Sequence, residues 1–239
     1  MQEHDHDHQH SAIADHQNLN DGSLRAAVFG LSDGLVSNSA LVLGVASAAE
    51  PGAVVVAGVA GLLAGAASMA AGEWISMTTQ REAQEQQLAM EAAHLNRYPD
   101  AEQNHMLYIL KKAGLTPDTA ASVVAELADK PNQNLDFHAR VELGIDPDEL
   151  GAPLRAAVMS FFAFAAGAVV PLLPWAFVSG TRALIATSAL SAVALFVTGA
   201  ALARFTTQGA LYSGTRQLVV GILAAALTMS IGALVGVQV

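Results

Sequence analysis

Long apolar segments alternate with one extended polar stretch along this 239-residue chain. Four segments each contain a run of more than 20 residues without Asp, Glu, Lys or Arg, and a fifth is interrupted only near its start by Arg25 and then by Asp33. A helix needs about 20 apolar residues to cross the hydrocarbon core of a bilayer, and each segment is long enough. The pattern therefore predicts an all-α membrane protein with five transmembrane helices, at about 24–49, 51–74, 156–181, 183–203 and 217–237.

The polar stretch between the second and third spans predicts a small helical module. Residues 75–98 are rich in Ala, Glu and Gln and contain no Gly or Pro, which favours a helix that continues out of the membrane. Proline and glycine then divide the rest into three shorter helices, at about 100–113, 117–129 and 132–143. Thr116 is a predicted N-cap, and Pro117 would take the first helical position.

Smaller signals refine the spans. Pro171 and Pro174 are expected to mark the exit of the third span, with Trp175 as an interfacial anchor. The fifth span should begin after a turn at 212–214, Tyr-Ser-Gly. The predicted organisation is a disordered His/Asp-rich tail, two spans, the helical module and three spans, in residues 1–22, 23–78, 79–153 and 154–239.

Charge constrains orientation and partners. With five spans, ten of the 11 Lys and Arg residues fall on the same side of the membrane as the N-terminus, and only Arg182 falls on the opposite side. Positive residues collect on the cytoplasmic side, so the N-terminus and the 79–153 module are predicted to be cytosolic. The net charge of −10 argues against a nucleic-acid partner. The absence of cysteine excludes disulfides and thiolate ligands, so a metal would need His, carboxylate, thioether or backbone donors.

Three Glu/His pairs are the main candidate chemistry of the polar module. Side chains three or four residues apart share one face of a helix, so each pair can direct two metal ligands at one point. Repeated E-x-x-H is typical of carboxylate-bridged metal sites in helical proteins. The pairs are Glu91 with His94, Glu102 with His105, and His138 with Glu142.

The alternative is that these pairs are solvated helix surface. Of eight histidines, five lie in the tail, where the tract HDHDHQH is either a weak metal-gathering segment or simply solvated. The other three each have a glutamate at helical spacing, which favours ligation. Histidine with carboxylate suits Fe²⁺, Mn²⁺, Co²⁺, Ni²⁺ or Zn²⁺ and disfavours Ca²⁺ and Mg²⁺.

Asp33 is the candidate chemistry of the membrane helices. An ionisable side chain inside a bilayer is costly and by default marks a pathway, although an aspartate near the interface could instead pair with an arginine. Asn38 and neighbouring serines give the same helix a polar side. On the second span, Met69 and Glu73 share a face, and a thioether is a soft, weak ligand for a metal in transit.

These residues resemble a known family, the vacuolar iron transporters. The resemblance covers about 24–239 and rests on three motifs: Ser-Asp-Gly-Leu-Val at 32–36, Ala-Gly-Ala-Ala-Ser-Met at 64–69 followed by Gly72, and Glu-Leu-Gly at 142–144. It implies a homodimeric exporter of cytosolic Fe²⁺, and often Mn²⁺, that exchanges metal for protons. Asp33 and Met69 match the family's transport residues.

The resemblance also implies six ligands in the module and exposes departures from the family pattern. The ligands fall on Glu91, His94, Glu102, His105, His138 and Glu142. Family ligands are mostly Glu, so three histidines should admit borderline metals such as Zn²⁺ or Co²⁺ and weaken capture below about pH 6.5. Gly61 stands where the family is expected to carry Glu, and Glu73 is proposed to supply that carboxylate.

The resulting prediction is a transporter and not an enzyme. Its partners are divalent metal ions, protons, membrane lipid and a second copy of the chain. Motif details resemble the bacterial branch, so the expected location is a bacterial plasma (inner) membrane. Two alternatives stay open: a membrane-anchored metal sensor or ferritin-like ferroxidase or storage protein, and a module that serves only oligomerisation or partner docking.

Overall fold

The described residues of this computed structural model, 22–205 and 207–236, form helices joined by short connections. The predicted disordered tail, apart from its last residue, lies outside them. No strand occurs within these ranges. The α-helices are α1 (Ser23–Ala46), α2 (Pro51–Arg97), α3 (Pro99–Lys112), α4 (Pro117–Ala128), α5 (Pro131–His138), α6 (Pro153–Val169), α7 (Gly180–Leu202) and α8 (Ala210–Gly236).

Five of the described helices are long and apolar enough to cross a membrane, which confirms the predicted number. They are α1, α2, α6 with its 3₁₀ extension, α7 and α8. The extension, Val170–Ala176, carries the two prolines that were expected at the exit of this span. Proline cannot donate a backbone hydrogen bond, so the helix tightens there. The hydroxyl of Thr187 donates to the carbonyl of Pro171 at 3.1 Å and satisfies one freed acceptor.

The fifth span begins earlier than predicted. α8 starts at Ala210, so the expected turn at 212–214 is its first helical turn. Gly214 serves close packing and not a reversal of the chain, because a Cβ there would lie 2.8 Å from the Phe196 ring. Glycine in a membrane helix has two uses, a turn or a close contact between helices, and sequence alone does not separate them.

The chain divides into two compact units. We call the first the membrane unit, which takes in the described residues up to Ile75 and those from Pro153 onwards. The second, which we call the insert, is Ser76–Ala152. Helix α2 is continuous through Ile75 and contributes residues to both units.

Helix α1 is the centre of the membrane unit, since it contacts α6, α7 and α8. Gly34 permits the closest approach to α6, because a Cβ there would lie 2.1 Å from the carbonyl oxygen of Phe164. Polar side chains also form hydrogen bonds between α1 and its neighbouring helices. Thr228 donates to the carbonyl of Ala40 at 2.6 Å, and Ser39 donates to Ser191 at 3.0 Å. Such hydrogen bonds add to packing between helices in lipid.

The insert has a small apolar core of its own, built by α3 and α4 from Met106, Leu110, Ala120 and Val124. The predicted capping by Thr116 is confirmed, since its hydroxyl accepts from the Thr119 amide at 3.3 Å. α5 then continues into one π-helical turn, Ala139–Leu143. Gly144 ends this turn with φ +65°, a left-handed conformation that glycine adopts without strain. These elements fix where the predicted metal ligands lie.

Candidate metal sites

Four helical segments of the insert bring four of the six predicted ligands into one cluster. Glu91 comes from α2, Glu102 from α3, His138 from the end of α5 and Glu142 from the π turn. One ligand atom of each lies within 4.8 Å of those of the others. We call these four residues the insert cluster.

His138 and Glu91 form the buried part of the insert cluster. Their side chains are 3% and 7% exposed, and His138 Nδ1 lies 2.9 Å from Glu91 Oε1 and 3.3 Å from Glu142 Oε2. Glu91 Oε1 is buried without a well-formed hydrogen bond, and its close neighbour is the His138 imidazole. Buried carboxylate oxygens are normally paired or bound to a metal, and an orphan of this kind fits a cation site.

The electrostatics of the insert cluster also favour a cation. Burial raises the pKa of Glu91 above its ordinary value, and the nearby charge of Glu142 raises it further. Glu102 acts in the same direction, while His138 opposes the rise. Three carboxylates in one partly buried space repel each other, and a divalent ion would remove that repulsion.

The remaining two predicted ligands lie beside the insert cluster and are more exposed. His94 Nδ1 is 3.7 Å from Glu102 Oε1, and His105 Nδ1 is 3.2 Å from Glu142 Oε1. Their side chains are 57% and 49% exposed. Each of these imidazoles thus lies near a carboxylate from a different helical segment, and not only on the same helix face as the glutamate of its own motif. These two histidines can widen the donor set at the rim, where water also has access.

An arginine that sequence analysis did not single out holds the π turn. The Arg140 guanidinium pairs with Asp136 at 3.1 Å, with Asp148 at 2.9 Å and also with Asp146. Hydrogen bonds to Asp136 and Asp146 raise its pKa above the ordinary value. The i, i+4 spacing of Asp136 and Arg140 was the available signal, but the contacts with later residues depend on the turn at Gly144.

All four residues predicted for the transport pathway line one cavity of about 500 Å³ in the membrane unit. Its walls come from α1, α2 and α6, and we call it the membrane cavity. Its lining residues are Phe29, Asp33, Ser37, Asn38, Leu41, Gly61, Gly65, Ser68, Met69, Gly72, Glu73 and Phe164. The cavity therefore offers one carboxylate on each of two helices, an amide and a thioether, which are donors suited to a divalent transition metal.

Two contacts set the order of these donors along the cavity. At one end, Arg25 Nη2 lies 3.5 Å from Glu73 Oε1. At the other, the Cβ of an alanine at Gly61 would lie 3.0 Å from Asn38 Oδ1. α1 and α2 are thus antiparallel neighbours, and Glu73, Met69, Asp33 and Asn38 follow one another in that order. Among the described residues, the arginine pairs with Glu73, and no cation lies within ion-pair distance of Asp33.

Known proteins are similar to this chain over most of its length. The model of the VIT family matches residues 24–233. "Vacuolar iron transporter 1" of Eucalyptus grandis is 32% identical over 205 residues, covering 85% of this chain and 82% of that protein. "Vacuolar iron transporter 2" of Oryza sativa subsp. japonica is 33% identical over 205 residues, covering 85% and 83%.

A further relative extends the match. "Vacuolar iron transporter homolog 1" of Oryza sativa subsp. japonica is 35% identical over 217 residues, covering 90% of this chain and 75% of that protein. The match to the family model includes α1, with Asp33, α2, with Met69, and the whole insert. With its five membrane-spanning helices, this chain is an integral membrane protein that belongs to the VIT family.

Proposed function

We propose that this protein transports Fe²⁺ across the membrane, out of the cytosol, and that it accepts Mn²⁺ as a second substrate. The observation that carries this proposal is the membrane cavity, in which Asp33, Asn38, Met69 and Glu73 offer metal donors between apolar helices. A helix that served only as an anchor would gain nothing from a carboxylate in its interior. The names of the relatives support iron as the metal.

The insert is proposed to collect the metal on the cytosolic side. Glu91, Glu102, His138 and Glu142 would hold the ion, with His94 and His105 as additional donors at the rim. Lys and Arg residues near the spans support the cytosolic location, because positive residues are retained on that side. The mixture of imidazole and carboxylate also suits Zn²⁺ and Co²⁺, which we expect to compete for this cluster.

The ion is proposed to pass next through the membrane cavity. Asp33 would supply the negative charge that attracts a divalent cation, and Met69 a soft ligand that releases it readily. Glu73 would act at the Arg25 end of the cavity, where its carboxylate is 14% exposed. A proton binding to a carboxylate in the cavity would weaken its hold on the metal, which supports exchange of metal for protons.

The family resemblance supports two further parts of the proposal. The functional unit would be a homodimer, and the membrane would be a bacterial plasma membrane, although the relatives' names refer to vacuoles. Detergent-solubilised protein should then have the mass of two chains.

A second candidate function rests on the insert cluster. Three carboxylates and a histidine can hold iron in a sensor or a ferritin-like ferroxidase, and this function would not use the membrane cavity. Purified protein in sealed liposomes separates the two. Transport predicts that external Fe²⁺ or Mn²⁺ accumulates inside. Oxidation of Fe²⁺ without accumulation of either metal would overturn the transport proposal.

A further inference from the structure

We propose that the carbonyl oxygen of Asn38 is a second metal-binding position in the membrane cavity, beyond Asp33. It would take a partly dehydrated divalent cation from Asp33 and Met69. This inference rests on the proposed transport function and adds to it a neutral oxygen ligand at the deep end of the path. We call Asn38 Oδ1, together with Gly61 beside it, the deep position.

Asn38 is held in one orientation by its amide nitrogen. Nδ2 donates to the carbonyl of Ala168 on α6 at 2.6 Å. The residue is only 2% exposed, and it lines the membrane cavity. A flipped amide would bring two oxygens together at the Ala168 carbonyl, so the nitrogen belongs on that side. The oxygen must then point the other way.

That oxygen has no hydrogen-bond donor among the described residues. Oδ1 of Asn38 is buried and unpartnered. Buried polar atoms are almost always paired, and an exception asks for a ligand, water or ion that completes it. The hydrogen bond to Ala168 explains why an amide nitrogen is present. It does not explain why a residue that lines the membrane cavity also carries a buried, unpaired oxygen.

Gly61 on α2 places no side chain against this oxygen. A Cβ at position 61 would lie 3.0 Å from Asn38 Oδ1 and 2.3 Å from a methyl group of Leu41. Glycine therefore has a purpose here beyond helix packing, since any side chain would crowd the oxygen. The deep position thus has an oxygen donor on α1 and, opposite it on α2, a residue without a side chain.

The deep position is distinct from Asp33. The two residues are five apart on α1, which separates them by about 7.5 Å along the helix axis. Asn38 lies on the side of Asp33 away from the Arg25–Glu73 contact. An ion that moves along the cavity from that contact would thus meet Met69 and Asp33 first and Asn38 last.

A neutral oxygen suits the last ligand of a transport path. Amide and backbone carbonyl oxygens replace water around a cation as it loses its hydration shell. Because the amide carries no charge, it binds a divalent ion less tightly than a second carboxylate would. Conduction needs this balance, since an ion that is held too strongly does not leave. The substrate class is a first-row divalent cation, for which Mn²⁺ is an air-stable probe.

The test measures the KM and kcat of Mn²⁺ uptake by the full chain in liposomes. Asn38→Leu keeps the side-chain size and removes the oxygen, and should raise the KM about tenfold, as expected for loss of a hydrogen-bond-strength contact with a charged partner. Asn38→Asp keeps an oxygen in place and adds charge, and should lower both the KM and kcat. The matched control is Thr228→Val, which removes another hydrogen bond to α1, the half-buried one to Ala40, outside the membrane cavity.

A second pair of variants leaves Asn38 untouched. Gly61→Ala should raise the KM by crowding Oδ1, whereas Gly52→Ala on the same helix, where a Cβ meets nothing within 4 Å, should not. A wild-type KM in both Asn38→Leu and Gly61→Ala overturns the inference. The inference is also overturned if Asn38→Leu, Asn38→Asp and Thr228→Val lose Mn²⁺ uptake equally and in proportion to the loss of folded protein.

Asp33→Asn separates this inference from the function on which it rests. If Asp33→Asn is inactive while Asn38→Leu has the wild-type KM, the deep position is wrong and the transport proposal stands. If Asp33→Asn transports normally, the proposed path through the membrane cavity itself fails.

Discussion

At the scale of single residues, burial divides the histidines in a way that spacing did not. Sequence spacing gave His94, His105 and His138 equal standing, each with a glutamate on its own helix. In the structure, only His138 is buried in the insert cluster, and it meets Glu91 from another helix. Spacing fixes which residues share a helix face, but burial depends on how the helices pack, which local sequence does not encode.

This difference predicts unequal roles for the histidines. His138→Ala should weaken Co²⁺ binding to the insert by about tenfold or more, as loss of a buried ligand or its partner commonly does. His94→Ala and His105→Ala should each have a clearly smaller effect, because their exposed side chains can be replaced by water. The measurement is a Co²⁺ titration of full-length protein in an Asp33→Asn background, which removes a donor from the membrane cavity. Equal losses for all three variants would contradict the assignment.

The raised pKa of Glu91 predicts opposite effects on folding and on metal binding. A carboxyl group whose pKa is raised by folding stabilises the folded state while it is protonated. This contribution is lost as the pH rises from the ordinary pKa of 4.5 through the raised pKa of the folded state. Glu91→Gln should therefore raise the melting temperature of metal-free protein at pH 7. It should also remove most of the increase that Mn²⁺ gives to the wild type.

The control for this prediction is Glu85→Gln, which changes an exposed glutamate on the same helix that pairs with Arg81 at 2.8 Å. It should leave both quantities nearly unchanged, since exposed ion pairs contribute little. A metal-free Glu91→Gln protein that melts below the wild type at pH 7 would show that the carboxylate is satisfied without a metal.

At the scale of elements, apolar runs and prolines predicted most helices well. Pro99, Pro117 and Pro131 each begin a helix, as their fixed φ favours. The predicted start of α8 is too late, because the glycine that predicts a turn, Gly214, instead packs closely against Phe196. The π turn was not predicted, and the contacts of Arg140 with Asp146 and Asp148 beside it form only once the chain turns at Gly144.

The π turn carries the third prediction. Arg140→Ala should lower the affinity of the insert for Co²⁺, because His138 and Glu142 lie at the two ends of the segment that Arg140 ties to Asp136 and Asp148. Arg140→Lys should restore only part of the affinity, since an ammonium group cannot reproduce the fork of a guanidinium. Co²⁺ absorption titrations of the full-length variants provide the measurement.

Arg81→Ala is the matched control for that experiment. It removes an arginine and an exposed i, i+4 pair from α2, away from the insert cluster. It should bind Co²⁺ as the wild type does. If Arg140→Ala also binds like the wild type, the π turn holds its ligands without the arginine.

At the scale of the whole molecule, the five spans and the family could be predicted because both depend on short, continuous stretches of sequence. Apolar runs identify spans, and short motifs such as Ser32-Asp33-Gly34 identify relatives. The membrane cavity could be predicted only as a list of polar residues. Its walls depend on how glycines on α1, α2 and α6 let the helices approach, and the buried oxygen of Asn38 depends on a contact with Ala168, 130 residues away.

The central claim is that metal crosses the membrane through the cavity that contains Asp33. The most direct test is Fe²⁺ uptake into sealed liposomes by the wild-type chain and by Asp33→Asn, a substitution that preserves size and removes the charge. The wild type should accumulate Fe²⁺, and Asp33→Asn should not, although it folds and still binds Co²⁺ through the insert cluster. Fe²⁺ uptake by Asp33→Asn at the wild-type rate would contradict the account.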